Sequence, residues 1–153
     1  MLMLALLLQA ATPAGEEPVA PYAVSNANAG ATPFAGDRVW TSFGGEAGTR
    51  RVVERFVELN LADPRIGDIF KGQDLVRLRR VLFEQFCYLL GGNCAYSGRD
   101  MKAAHTDLGI QQADMNALVD NLQRAMSAEG VPFTAQNRLL AKLAPMRSQV
   151  VER

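Results

Sequence analysis

The sequence predicts an all-α fold, and three of its features lead to that expectation. Apolar residues recur at steps of three and four in every periodic segment after Asp37, which is the spacing of one buried helix face. No two neighbouring segments show the apolar–polar alternation of paired β-strands. The 153 residues, 48% of them apolar, suffice for one domain with a hydrophobic core.

The first half of this domain predicts a short turn, one long helix and a corner. An apolar turn at residues 39–43 ends at Gly44-Gly45. The helix that follows buries one stripe: Val52, Val53, Phe56, Val57 and Leu61. Asp63 precedes Pro64 and is therefore pushed out of the helical region, which ends the helix. The corner after it carries Ile66, Ile69 and Phe70.

The second half predicts three longer helices and one short one. Asp74 can cap a helix that runs to Leu90 and stops at Gly91-Gly92. Asp100 can cap the short helix, and residues 113–129 form the next long one. Thr134 can cap the last helix, which Pro145 should kink.

The N-terminal 36 residues divide into two segments before the domain, which spans residues 37–153. Residues 1–10 are a possible signal segment whose apolar run, Met1 to Leu8, is far shorter than the roughly 20 residues that span a bilayer. This run predicts either export to the periplasm or, if it is not a true signal, a cytoplasmic protein. Residues 11–36 are rich in Ala and Pro without an apolar period, which predicts a disordered linker.

Charge and cysteine content restrict the possible partners. Sixteen basic and sixteen acidic side chains cancel, so nothing in the net charge favours nucleic acid. Cys87 and Cys94 flank the Gly91-Gly92 turn. They are either a disulfide that ties the helix end to the following loop, or two reduced thiols.

His105 is the one histidine of the chain, and it lies among apolar residues of a short amphipathic turn: Met101, Ala104 and Leu108. A histidine in this setting is either a hydrogen-bonded core residue or a metal ligand. A tetrahedral zinc site is not indicated, because there is no second histidine and the cysteine spacing does not fit one. An iron held inside an organic ring needs only one protein nitrogen, as in haem with a proximal histidine.

Two ordered sets of short motifs run along residues 37–151. The front set is Ser42-Phe43-Gly44-Gly45, Val52-Val53, Phe56, Ala62-Asp63-Pro64-Arg65-Ile66 and Phe70. The back set is Gly91-Gly92, residues 96–102, His105, Leu108-Gly109-Ile110 and Leu143-Ala144-Pro145-Met146. In this order the chain resembles a truncated haemoglobin of the first group. The resemblance implies a sandwich of two helices crossed over two others, with haem b between them and His105 on the iron.

A haem would also need an apolar slot and cations for its propionates. The candidates for the slot are Phe70, Leu75, Leu78, Leu82, Phe86, Tyr96, Met101, Leu108, Ile110, Met115 and Leu118. Ordinary core packing is the alternative for most of them. Arg79, Arg99 and Lys102 are candidates for the propionates, or they are free surface charges.

On the ligand side of the iron the chain departs from better known members of the family. Many of those carry a tyrosine after the phenylalanine of the second helix, where this chain has Val57, and polar residues where it has Leu78 and Leu82. Loss of a polar donor costs bound oxygen about 1–3 kcal/mol, or about one to two decades in dissociation rate. Gln85 shares the helix face of Leu78, so its amide either reaches the bound ligand or a propionate, or projects past the haem edge to solvent.

The expected function is therefore reversible binding of a diatomic gas: oxygen, nitric oxide or carbon monoxide. An apolar pocket argues against oxygen storage or transport and fits nitric oxide chemistry, sensing or electron transfer at least as well. Dioxygenation of nitric oxide would need an external reductase. The alternative is a non-haem, all-α interaction module on a flexible linker, with His105 in its core.

Overall fold

The computed structural model describes residues 12–152, in which all regular structure is helical. Three short 3₁₀ turns lie at Asn26–Ala29, Gly67–Phe70 and Ala144–Met146. The α-helices are α1 (Arg38–Ser42), α2 (Gly45–Ala62), α3 (Leu75–Leu90), α4 (Met101–His105), α5 (Gln112–Ala128), α6 (Phe133–Leu143) and α7 (Arg147–Val150). The predicted all-α class is confirmed. The predicted signal segment lies outside the described residues.

The four longer helices form the sandwich. Helix α2 packs against α3 and α5, and α6 packs against the same two helices. None of the helices in residues 12–152 is long and apolar enough to cross a membrane. The arrangement is the two-over-two architecture that the resemblance predicts.

The core follows the predicted apolar stripe of α2, with one exception. Val52, Val53, Phe56 and Val57 of α2 are all buried. Leu61, the last residue of that stripe, is 39% exposed because it lies at the helix end. Helical spacing identifies a face, but it does not determine how far along the helix that face is covered.

Local chemistry explains most of the helix ends. The side chains of Asp74 and Asp100 accept hydrogen bonds from the backbone N–H of Arg77 (3.0 Å) and Ala103 (2.7 Å), so both predicted caps are confirmed. The predicted Thr134 cap is wrong, because Pro132 already sets the boundary and α6 begins at Phe133. Pro145 lies in the 3₁₀ turn that separates α6 from α7, which confirms the predicted interruption.

Residues 16–34, here called the N-terminal strap, are laid along the domain, unlike the disordered linker that composition predicts. The Glu16 carboxylate pairs with Arg80 and Arg77 of α3, and the Phe34 N–H donates to the Leu89 carbonyl (2.9 Å). Ala29 has no exposed surface. The prediction of disorder is wrong for these residues. The domain supplies partners for them that the composition of the strap does not reveal.

Cys87 and Cys94 form a disulfide with their Cα atoms 5.6 Å apart. Cys87 lies near the end of α3, and Cys94 lies in the loop that leads to α4. The bridge therefore fastens this loop to α3, which was one of the two arrangements that the spacing allowed.

Candidate functional site

His105 ends the short helix α4 and has one free ring nitrogen. Its Nδ1 lies 2.7 Å from the carbonyl oxygen of Met101, four residues earlier. A carbonyl can only accept, so Nδ1 carries the proton and Nε2 carries a lone pair. Within residues 12–152, Nε2 makes no hydrogen bond. The ring is therefore oriented by its own helix and left with one nitrogen available as a ligand.

The electrostatics of His105 favour the neutral imidazole that binds metals. Burial lowers its pKa below the ordinary value, and the positive charge of Arg99 acts in the same direction. The hydrogen bond to Met101 acts in the opposite direction, with an effect smaller than that of burial and larger than that of Arg99. Near neutral pH the side chain is thus uncharged, as coordination of iron requires.

Seven of the predicted slot residues are large apolar side chains that stay partly exposed: Phe70, Leu75, Leu78, Leu82, Leu108, Met115 and Leu118. They come from the corner before α3, from α3, from the turn after α4 and from α5. Folding of a chain of this size ordinarily buries such side chains, and a planar apolar ring would cover their remaining surface. That these side chains face a haem stays a prediction. Their apolar character fits the ring of a haem.

The other four predicted slot residues, and Val57 of the distal side, are covered by the protein itself. Val57, Phe86, Met101 and Ile110 are between 1% and 6% exposed, so they are core residues beneath any slot. Tyr96 is equally buried, and its hydroxyl donates to the Arg99 carbonyl (2.8 Å). Burial raises the pKa of Tyr96 to about 12. Tyr96 therefore stabilises the loop before α4.

Sequence comparison decides the family. The family model of the bacterial-like globins matches residues 38–152 of this chain. A group 1 truncated haemoglobin of Mycolicibacterium paratuberculosis is 30% identical over 112 residues, which are 73% of this chain and 82% of the relative. The chain belongs to the group 1 truncated haemoglobins. As a truncated haemoglobin it is a haem-binding globin by family, and the non-haem interaction module has no support.

Solved structures agree with this truncated haemoglobin in fold. The Fe(III) form of the truncated haemoglobin of Tetrahymena pyriformis is 25% identical, with a TM-score of 0.71 over 75% of this chain and 98% of that one. The 2/2 haemoglobin of Synechococcus sp. PCC 7002, described with covalently attached haem, is 26% identical, with a TM-score of 0.70 over the same shares. The match to the family begins at Arg38, after the N-terminal strap.

Gln85 of this truncated haemoglobin does not point where the sequence suggested. It is 6% exposed, so it does not project to solvent. Its Nε2 donates to the carbonyl oxygen of Ala29 in the strap (2.9 Å) and lies 3.4 Å from the Met101 sulfur. The amide is thus directed toward the strap and α4. Helical spacing placed Gln85 on the face of Leu78, and its hydrogen-bond partner comes from the strap.

The three cationic candidates differ in their surroundings. Arg79 is engaged with Glu54 of α2, with 2.8 Å between Nε and a carboxylate oxygen. It lines a groove of about 610 Å³ between α2 and α3. Arg99 and Lys102 form no ion pair within residues 12–152 and are therefore the better candidates for propionates.

The three distal positions carry no polar side chain. Val57 is 1% exposed, while Leu78 and Leu82 are half-buried. A tyrosine at Val57 would overpack the core, so the aliphatic residue there suits this packing. A pocket bounded by these three residues offers no hydrogen-bond donor from them.

Sequence reasoning missed the residues that support α4 from behind. Gly30 and Met146 lie next to Met101, and Ala29 accepts from Gln85. The strap residues carry no periodic apolar pattern, so no local signal marks them. Met146 belongs to a motif of the family resemblance, but nothing in the sequence pairs it with Met101.

Proposed function

We propose that Nε2 of His105 is the protein ligand of a b-type haem and that the protein reversibly binds a diatomic gas at the iron. The observation that carries this proposal is the bond from His105 Nδ1 to the Met101 carbonyl, because it leaves Nε2 unprotonated and fixes the ring plane. Bound haem supplies an iron atom with a coordination position for the gas.

The apolar side chains of the slot would bind the ring and keep water out. Leu78 and Leu82 of α3, Leu108 after α4 and Met115 of α5 would line the slot. Each large aliphatic side chain that becomes fully covered contributes about 1.5–3 kcal/mol relative to exposure. Arg99 and Lys102 would hold the propionates at the rim.

The distal residues favour a ligand that needs no hydrogen bond. Val57, Leu78 and Leu82 leave a polar guest unstabilised, so oxygen should leave quickly and carbon monoxide should be affected less. Chemistry of nitric oxide, gas sensing or electron transfer therefore fits this pocket at least as well as oxygen storage. For turnover of nitric oxide, an external reductase would supply the electrons.

Titration of the purified chain with hemin tests the proposal. We expect one hemin per chain and a strong absorption band at about 400–420 nm, the region typical of haem proteins. His105→Ala should remove the band, and added imidazole should restore it if the fold is intact. An unchanged complex in His105→Ala would refute the role of this residue.

The ferric spectrum gives a second, independent check. The chain has a single histidine, so a second imidazole cannot occupy the distal position. We therefore expect a high-spin ferric spectrum near neutral pH. A low-spin spectrum in the pure protein would contradict the proposed apolar distal side.

We also propose export to the periplasm, supported by the apolar start of the chain and by the paired cysteines. Fractionation of cells that express the full chain tests it. Recovery in the cytoplasm with both thiols free would overturn this proposal and leave the haem site untouched.

A further inference from the structure

A buried polar contact point lies behind α4, on the side of the N-terminal strap. The Nε2 atom of Gln85 donates to the Ala29 carbonyl oxygen at 2.9 Å and lies 3.4 Å from the sulfur of Met101 and 3.7 Å from that of Met146. Gln85 and Met101 are 6% exposed, Met146 is 4% exposed and Ala29 is fully buried. One amide thus joins α3, the strap, α4 and the C-terminal turn.

Met101 connects this contact point to the proposed iron ligand. It begins α4, and its carbonyl oxygen accepts the hydrogen bond from Nδ1 of His105. The Met101 side chain touches Gln85 while its backbone holds the imidazole. A shift of Met101 therefore changes the direction of the bond that orients His105.

Helix α4 cannot hold this geometry by itself. It contains five residues, and isolated helices of this length are not stable in water. Its position therefore depends on contacts with α7 and with the residues around Gln85. These contacts are tight: a Cβ atom at Gly30 would lie 2.8 Å from the Met146 sulfur and 3.2 Å from Cγ of Met101.

We infer that Gln85 is a positioning residue that, held by Ala29 of the strap, sets the orientation of His105 through Met101. This inference rests on the proposed function, since it concerns the bond between His105 and haem iron. It assigns a purpose to the strap, which lies outside the residues that match the globin family. The amide is suited to the task because its N–H groups satisfy a buried carbonyl while contacting two soft sulfur atoms.

The test compares two buried glutamines in the full chain loaded with hemin. Gln85→Leu removes the contact point, and Gln136→Leu is the matched control. Gln136 is 4% exposed, and its amide donates to the Val131 carbonyl (2.9 Å), on the loop before α6. Both variants lose a buried hydrogen bond from a side-chain amide to a backbone carbonyl and a weaker contact beside it, so both should lose similar stability.

The readouts are the iron–imidazole stretching band in the resonance Raman spectrum of the ferrous protein and the rate of hemin loss. We expect Gln85→Leu to bind one hemin per chain, to show a shifted and broadened band, and to lose hemin about 5- to 30-fold faster than wild type. Gln136→Leu should leave the band where wild type has it. Equal bands in the two variants would overturn the inference.

Gly30→Ala approaches the same contact point from the strap. Its Cβ would press on Met146 and Met101, and φ of Gly30 is +90°, so the strap must move away from Gln85. We expect a band shift of the same sign as in Gln85→Leu, and this variant decides the matter if Gln85→Leu does not fold. An unmoved band in Gly30→Ala refutes the inference, whereas failure of wild type to bind hemin refutes the proposed function instead.

Discussion

Replacement of Glu16 by glutamine tests whether the strap is docked. The Glu16 side chain is 1% exposed and pairs with Arg80 and Arg77, whose side chains are 27% and 14% exposed. The hydrogen bond from Arg80 lowers the pKa of Glu16 below its ordinary value. A disordered linker would make none of these contacts, so the substitution would then be silent.

The expected cost lies between two limits. Exposed ion pairs contribute about 0.2–1 kcal/mol, and removal of one partner from a buried pair costs about 3–5 kcal/mol. Both arginines keep other partners: Arg80 lies 3.0 Å from Glu84, and Arg77 donates to the Glu17 carbonyl (2.8 Å). We therefore expect Glu16→Gln to lower the free energy of unfolding by about 1–2 kcal/mol, or Tm by about 3–6 °C.

The pH dependence gives the sign of the effect. A carboxyl group whose pKa is lowered by folding stabilises the protein above its unfolded pKa and ceases to do so as pH falls through the folded value. The difference between wild type and Glu16→Gln should therefore be full at pH 7 and shrink as pH falls below about 4.5.

Thermal and urea unfolding at pH 7 and at pH 3 measure these differences. Glu17→Gln is the matched control, because the carboxylate of Glu17 forms no ion pair within residues 12–152. The hydrogen bonds of Glu17 to Asp74 and Arg77 come from its backbone, which the substitution leaves unchanged. Equal stability of wild type and Glu16→Gln at pH 7 would refute the docked strap. A loss that does not depend on pH would refute the ionic explanation.

Three further predictions concern the distal pocket, the disulfide and a buried polar pair. Leu78→Gln should slow oxygen release by about 10- to 100-fold in stopped-flow measurements, because it introduces a distal donor, whereas Leu78→Met should not. Replacement of Cys87 and Cys94 by serine should lower the free energy of unfolding by about 2–3 kcal/mol, since the bridge closes a short loop, and a midpoint in urea equal to that of wild type would contradict this. Asn121→Leu should cost about 1–3 kcal/mol, because it leaves the side-chain oxygen Oδ1 of Asn60 (now 2.9 Å from the Asn121 amide nitrogen) buried without this donor, and an unchanged thermal midpoint would contradict it.

Several features of this protein could be predicted from residues that are close together in the sequence. The helices of the domain follow from apolar spacing, and the Asp74 and Asp100 caps follow from side chains that bond to the backbone three residues on. His105 could be singled out because it is the one imidazole of the chain and because ordered motifs surround it. These inferences depend on residues close together in sequence, so one chain suffices for them.

Other features depend on partners distant in sequence. Composition alone describes residues 16–34 as a linker, yet Glu16 lies against residues 77 and 80, and Ala29 lies against Gln85. The sequence left Gln85 directed either toward the haem (its bound ligand or a propionate) or toward solvent, whereas its amide donates to the strap. A side chain on a known helix face still needs its neighbour across the interface to determine what it binds.

The sequence by itself determined the helices, the family and the single imidazole suited to iron, because each depends on residue type and local spacing. Only the tertiary structure decided that the strap covers the domain, that the cysteines meet, and that Gln85 touches Met101 behind His105. The physical reason is that a buried polar group is stabilised by whichever donor or acceptor folding brings to it, and that partner can lie anywhere in the chain.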